Sequence, residues 1–245
     1  MYIILTFSLL AGALSQECKW IEGISGVSIK MRLDKSGFHR DLQVISSIAS
    51  EQRFMECQLL YRIRIPAGAY IDMNSVNKSM NHHTVYLSTK FDIEAPSEAS
   101  KDKAVRLYGH RTYRKVFLIE NTFTLPVHLR YHKAVANGEG VDVIFRAPEI
   151  FVKCSPDRDD SYAKCTKGAS KFPCDAFGPK PCEWLRISKN SDEKVTATMP
   201  RGNLDHLNMV SVVTFLFIFS AVIYLIVPVI KTNLKKPGVS EPKMD

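Results

Sequence analysis

Residues 209–230, MVSVVTFLFIFSAVIYLIVPVI, form an unbroken apolar run of 22 positions without a charge. A helix rising about 1.5 Å per residue carries such a run across a hydrocarbon core roughly 30 Å thick. A helix also satisfies its own backbone there, which an open strand cannot do. Elsewhere the pattern changes period. Val27, Ile29, Met31 and Leu33 alternate with Ser28, Lys30 and Arg32, the two-residue period of a half-buried strand. Cys57, Leu59, Tyr61, Ile63 and Ile65 repeat it against Gln58, Arg62 and Arg64, and Pro66-Ala67-Gly68 then predicts a turn. Residues 84–88, 113–119, 122–131 and 141–145 predict further strands, with fainter patterns at 149–153 and 195–199. No stretch between residues 17 and 208 sustains a helical period. Many short strands separated by turn signals predict an all-β, antiparallel, sandwich-like domain. Residues 96–103 and 137–140 read as exposed loops.

The chain opens on a shorter apolar run, residues 2–14, which ends in the small-x-small pattern Ala13-Leu14-Ser15 of a signal-peptidase site. Lys231, Lys235 and Lys236 follow the long run and favour a cytoplasmic tail. The expected order is a signal peptide over residues 1–16, a lumenal or external β domain over 17–208, a transmembrane helix over 209–230 and a cytoplasmic tail over 231–245. That is a single-pass type I protein. The tail takes four of the 33 basic residues and two of the 25 acidic ones, which leaves the β domain with 29 and 23, a net of +6. A mixed surface of that kind, in that compartment, excludes nucleic acid as the partner. A weak pull toward anionic lipid headgroups is compatible with it.

All six cysteines, Cys18, Cys57, Cys154, Cys165, Cys174 and Cys182, fall in the β domain. An even count in an oxidising compartment reads as disulfides. No pair has the close spacing of a zinc site. The expectation is that the four late cysteines pair among themselves and that Cys18 joins Cys57. Asn77-Lys78-Ser79 is the one N-x-S/T sequon, which makes Asn77 the candidate glycosylation site in a polar loop.

Searches for catalytic chemistry return no site: there is no Gly-rich phosphate loop, and Gly23-Ile24-Ser25-Gly26 does not match a nucleophile elbow. His39-Arg40-Asp41 spells the kinase catalytic-loop tripeptide without the later Asn, the D-F-G or the Gly-rich loop. His82 and His83 are adjacent, so on an extended backbone they point to opposite sides. No metal or cofactor is expected. The segment Leu125-Pro126-Val127-His128-Leu129-Arg130-Tyr131-His132 carries more. As a strand it puts Leu125, Val127, Leu129 and Tyr131 on one face and Pro126, His128, Arg130 and His132 on the other. His128 and His132 stand about 13 Å apart at roughly 3.3 Å per residue, too far to share one metal at about 2.1 Å from each ligand. That polar face is either a solvated surface or a partner contact. Pro126 predicts an edge strand, where another chain can dock.

Four short pieces carry a family resemblance: Gly37-Phe38-His39-Arg40-Asp41-Leu42; Ile65-Pro66-Ala67-Gly68 with Tyr70 and Asp72; Phe91-Asp92-Ile93-Glu94-Ala95-Pro96; and Leu125-Pro126-Val127-His128 with Arg130-Tyr131-His132. Their order and spacing resemble PIG-X, the accessory subunit of the first mannosyltransferase of glycosylphosphatidylinositol (GPI) anchor synthesis. They span residues 37–132, about half of the β domain. Residues 134–201 depart from the pattern, apart from the strand and cysteine near Cys154 and the Cys182-Glu183-Trp184 piece, so the resemblance implies no disulfide map.

The resemblance implies a non-catalytic, stabilising subunit in the endoplasmic reticulum membrane. Its partner would be a multi-spanning, PIG-M-like enzyme that moves mannose from dolichol-phosphate-mannose to glucosaminyl-(acyl)phosphatidylinositol on the lumenal side. Topology agrees: a site for two lipid substrates needs several spans, and the single run here has no ionisable group except Tyr224. Ser211, Thr214, Ile218, Ala221, Leu225 and Pro228 share one helical face, and its small and hydroxyl residues suit close helix contact with the partner; an anchor in lipid alone tolerates the same residues. Partner-contact candidates are therefore His128, Arg130, His132, Ser211, Thr214 and Ala221. A cell-surface receptor or adhesion domain, and a lumenal enzyme acting alone, are the competing classes.

Overall fold

Strand pairing in the computed structural model follows from the two-residue alternation, and every ladder is antiparallel. The structure describes residues 19–155, 165, 169–188 and 191–234. The expected signal peptide, Cys18 and the tail from residue 235 lie outside them. The strands are β1 (Gly26–Asp34), β2 (His39–Phe54), β3 (Gln58–Ile65), β4 (Ala69–Tyr70), β5 (His83–Leu87), β6 (Lys103–Gly109), β7 (Val116–Leu129), β8 (Val141–Arg146), β9 (Glu149–Lys153), β10 (Ser170–Pro173), β11 (Pro181–Arg186) and β12 (Lys194–Met199). One sheet has the order β1-β2-β7-β4, a second β10-β11-β9-β3-β6-β5, and β12 pairs with β8.

One core joins the sheets. Leu42, Val44 and Ile48 of β2 and Phe123, Leu125 and Val127 of β7 share a buried cluster with Leu59, Tyr61, Ile63 and Ile65 of β3 and Val105 and Leu107 of β6. A side chain of this size stabilises the fold by about 1.5–3 kcal/mol when fully buried. A smaller cluster, Leu60, Tyr108, Phe151 and Trp184, fills the opposite face of the six-stranded sheet. The β10–β11 hairpin supplies part of it, and the Trp184 indole donates to the Pro173 carbonyl at 3.1 Å.

The disulfides correct the expected map. Cys57 joins Cys154, and Cys174 joins Cys182 across the hairpin. Cys165 is disulfide-bonded as well. Cys57 therefore does not pair with Cys18, and the four late cysteines do not pair only among themselves. The cause is register: β3 and β9 pair with Gln58 opposite Lys153 and Leu59 opposite Val152, so the next position brings Cys57 against Cys154.

Three local expectations also change. Pro126 does not lie on a simple edge: β7 runs between β2 and β4. β4 is only two residues long and pairs with Leu129 and His128, so its ladder stops short of Pro126, which has no N–H to offer. Tyr131 does not follow Leu129 inward. β7 ends at Leu129, and Arg130 turns in, 4 % exposed, while Tyr131 is 75 % exposed. Asn77 lies on the backbone of a short helix, Met73–Ser79, rather than in a loop; Asp72 caps it, accepting from Asn74 N at 3.0 Å.

The chain divides into two units: Met1–His132 with Val141–Met199, and Lys133–Gly140 with Pro200–Asp245. In the second unit the loop of residues 133–140 clasps the segment before the C-terminal helix. Val135 N donates to Gly202 O at 2.9 Å and Leu204 N to Val135 O at 3.0 Å. Arg201 Nε donates to Glu139 O at 2.6 Å, and Asn137 N to Asp205 Oδ2 at 3.1 Å. Gly138 has φ +64°, and a Cβ there would meet Asn203 Cβ at 2.9 Å, so the turn requires glycine. The helix Leu207–Leu234 follows, and residues 204–232 are long and apolar enough to cross a membrane.

Candidate functional site

The four sequence pieces that carry the family resemblance converge at one end of the β1-β2-β7-β4 sheet. Pairing does this: His39 at the start of β2 stands opposite His128 of β7, and Tyr70 of β4 stands opposite His128 on its other side. The rings touch. His39 meets His128 edge-on at 4.4 Å between centroids, and Tyr70 stacks on His128 at 5.0 Å. Leu129 N donates to Phe38 O and Arg130 N to Gly68 O, both at 2.8 Å. Gly68 cannot carry a side chain here, because a Cβ would fall 2.8 Å from Val143 Cγ2 and 3.1 Å from His132 Cε1.

Arg130, in the fourth piece, ties the third piece to the second. Its guanidinium lies 4.9 Å from the centre of the Tyr70 ring and donates to the Ala95 carbonyl. Among the described residues it has no carboxylate ion pair, and its Nε has no hydrogen-bond partner. Burial lowers its pKa, while Tyr70 and then Asp92 act the other way; the guanidinium stays charged. The cation–π contact with Tyr70 and the charge-assisted bond to Ala95 O are its compensation. Arg130, 4 % exposed, therefore acts as an internal clip.

Asp92 Oδ1 accepts from Glu94 N at 3.1 Å and Ala95 N at 3.2 Å, which turns the loop that offers Ala95 O. Phe91 lies under Lys103 Nζ at 5.2 Å. Pro96 O accepts from Ser100 Oγ at 3.0 Å, and Ser97 N donates to Tyr131 O at 3.1 Å. Phe38 packs on Tyr131 at 4.6 Å between centroids. Arg40 donates to Lys35 O, and Asp41 pairs with Lys35 at 2.8 Å. Pro66 O accepts from Ala69 N at 2.9 Å in the turn before β4. Leu125 points into the core. His132 is half-buried beside Gly68.

Electrostatically the site is cationic inside and mixed at its rim. Burial pushes the His128 pKa down, His39 beside it adds to the shift, and Asp72 opposes it. Hydrogen bonds from Asn74 N and the Ser75 hydroxyl hold Asp72 below the usual carboxylate range. Burial raises the Tyr70 phenol, with Arg130 opposing. What remains outward is an exposed aromatic-apolar rim, Tyr131 and Ile93, with His39 alongside. Ser211, Thr214 and Ala221 lie on the exposed C-terminal helix, in the other unit.

A second polar cluster has almost no signal in the sequence. Asn121 Nδ2 donates to Tyr61 OH at 2.9 Å and reaches His83 Nε2 at 3.0 Å. Tyr61 OH lies 2.7 Å from Ser46 Oγ, which donates to Asn121 O at 3.2 Å. Burial pushes the His83 pKa down to about 4 and raises that of Tyr61. His83 is 5 % exposed while its neighbour His82 is exposed, as alternation predicts for adjacent histidines. The chain of bonds opens on a cavity of about 500 Å³ lined by His82, His83, His110, Arg111, Tyr113 and Glu120, among others.

The chain is 29 % identical over 213 residues to a human protein named the stabilizing subunit of GPI alpha-1,4-mannosyltransferase I, covering 84 % of this chain and 81 % of that one. Mouse and rat proteins of the same name are 28 % and 27 % identical over 198 residues each. Those matches cover 78 % of this chain in both cases, with 76 % of the mouse protein and 77 % of the rat protein. The sequence model of PIG-X / PBN1 matches residues 35–230, all four converging pieces included, and the chain belongs to that family.

Proposed function

We propose that this chain is the non-catalytic stabilising subunit of GPI mannosyltransferase I. The observation that carries the reading is a family match that continues from residue 35 through the β domain into the apolar helix, so both parts belong to the shared plan. A single apolar run, residues 209–230, whose only ionisable group is Tyr224 is a poor scaffold for lipid-linked sugar chemistry, which suits an accessory role. In this reading residues 1–16 are a signal peptide, residues 17–208 are lumenal in the endoplasmic reticulum, and residues 209–230 span its membrane. The catalytic partner is a multi-spanning, PIG-M-like protein that uses dolichol-phosphate-mannose and glucosaminyl-(acyl)phosphatidylinositol.

The converged pieces then serve as a partner-facing corner. His128 and Arg130 hold its shape from within, and Tyr131, Ile93 and His39 present its surface. Ser211, Thr214 and Ala221 offer a close-packing face on the helix. Asn77 remains the glycan acceptor of this scheme.

The test is deletion of the gene in its own cells, with surface GPI-anchored protein and lipid intermediates measured together. Loss of surface protein with accumulation of unmannosylated glucosaminyl-acylphosphatidylinositol supports the reading. Normal anchors with no accumulation would remove it.

A further inference from the structure

The outer face of the six-stranded sheet gathers cations faster than it gathers acids. The β3–β6 register places Arg62 directly opposite Arg106, a like-charge pair that costs stability unless something offsets it. Arg106 is turned onto aromatic rings, 5.2 Å from the centre of Tyr86 and 4.8 Å from that of Phe172. Glu149 is bonded twice, to Arg62 at 3.1 Å and Arg186 at 3.2 Å. Asp102 accepts from Ala67 N at 2.9 Å and so belongs to the turn before β4. Arg64 of β3 and Arg146 of β8 are left over: neither has an acidic partner among the described residues.

Arg62, Arg64 and Arg146 line one concavity of about 260 Å³ together with the carboxylates of Asp102 and Glu149, three cations against two acids. Ala104 stands opposite Arg64 across the β3–β6 ladder, and Ala147 and Pro66 also line the space. These small residues leave the concavity open between the guanidiniums. Each guanidinium carries five N–H donors, and the one ion pair to Arg62 uses few of them. A planar carboxylate is satisfied by one bidentate arginine. Donors converging from two different strands suit a tetrahedral oxyanion with more acceptor directions.

We propose that Arg62, Arg64 and Arg146 form a binding site for a phosphate group, carried either on a phospholipid headgroup or on a soluble phosphate. The site is separate from the His39–His128–Arg130 corner and does not depend on the subunit role. Arg64 and Arg146 are its principal donors. Arg62 is the anchored one, held by Glu149.

The test uses the full chain in uncharged detergent micelles, titrated calorimetrically with inorganic phosphate at constant ionic strength, so that general screening is held fixed. Saturable one-to-one binding is expected. R64Q and R146Q should each weaken it at least tenfold with an unchanged melting temperature, since both side chains are exposed. R111Q, at the cavity beside His83, should leave it unchanged. No saturable heat, or equal affinity in wild type and both variants, overturns the site. A second titration in nanodiscs separates the sources. If free-phosphate binding in discs containing phosphatidylinositol is weaker than in the phosphate-free micelles at the same ionic strength, headgroups occupy the site; if affinity is the same in both, the ligand is a soluble phosphate.

Discussion

Acidification should destabilise this protein through His83, and the size of the effect follows from its surroundings. Asn121 has two amide hydrogens, one directed to Tyr61 OH and one to His83 Nε2. Nε2 is therefore an acceptor. Burial lowers the folded-state pKa, the nearby His110 and His82 act in the same direction, Asn121 opposes them, and the value falls from 6.5 to about 4. The unfolded chain thus takes up the proton first as pH falls. Stability is full above the unfolded value, is lost as pH drops through the window from 6.5 to about 4, and levels off below it. The whole window is worth roughly 3 kcal/mol, of which about 2 kcal/mol is gone by about pH 5. Urea unfolding of the full chain in uncharged micelles measures it. Trp20 and Trp184, both buried, report by fluorescence at about pH 7.5 and about pH 5. His128 contributes a loss of the same sign, since its pKa is also lowered, so the comparison is with H83Q. Gln accepts the Asn121 bond and does not titrate. Wild type should lose about 2 kcal/mol more than H83Q over that interval. Equal losses in the two proteins would refute the assignment.

Three further outcomes are expected. Replacing Cys57 and Cys154 together by Ala opens a loop with a separation of 97 residues and should cost about 4 kcal/mol; a change in melting temperature under a few degrees would contradict it. G68V should cost about 1–3 kcal/mol through overpacking against Val143 and His132, whereas G26V, which meets nothing within 4 Å, should unfold like wild type in the same assay. Tyr131→Ala removes a side chain that is 75 % exposed; its melting curve should match wild type while co-purification of the membrane partner falls, and undiminished co-purification would take Tyr131 out of the interface.

Strands β1, β3, β5, β8 and β12 are legible from alternation, because one face of each meets the main core; β9, with Ile150, Phe151 and Val152 all buried, gives only a short apolar run. β2 keeps the same alternation, with Leu42, Val44, Ser46, Ile48 and Ser50 pointing inward. Two of those five are serines, so hydrophobicity alone hides a strand of 16 residues. The buried serines are satisfied: Ser46 by Tyr61 and Asn121, and Ser50 by the Gly23 carbonyl. Asn121 breaks β7 in the same way, splitting one 14-residue strand into two expected ones. Chain spacing suggested Cys18 with Cys57, but cysteine pairing obeys cross-strand register, which spacing does not encode. The motif pieces were visible one by one. Their meeting depends on β2 and β4 flanking β7, and the inward turn of Arg130 depends on where β7 stops, so neither could be read from periodicity.

The clasp of residues 133–140 around the segment that precedes the C-terminal helix changes how a pull on that helix is borne. The unit containing the helix is joined to the β domain by three covalent crossings, at residues 132–133, 140–141 and 199–200. With a single crossing, tension would arrive at Met199 alone and would peel β12 from β8 one bond at a time. The bonds of Val135, Asn137 and Glu139 to the stretch from Arg201 to Asp205 divert part of that load into His132 and Val141. Val141 faces Met199 in the β8–β12 ladder, so the load enters both strands at the same end of the ladder rather than one strand alone. A protease cut within residues 133–140 would leave each half of the loop tied to residues 201–205 by its own hydrogen bonds alone, weakening this shared suspension without removing one side chain from the core.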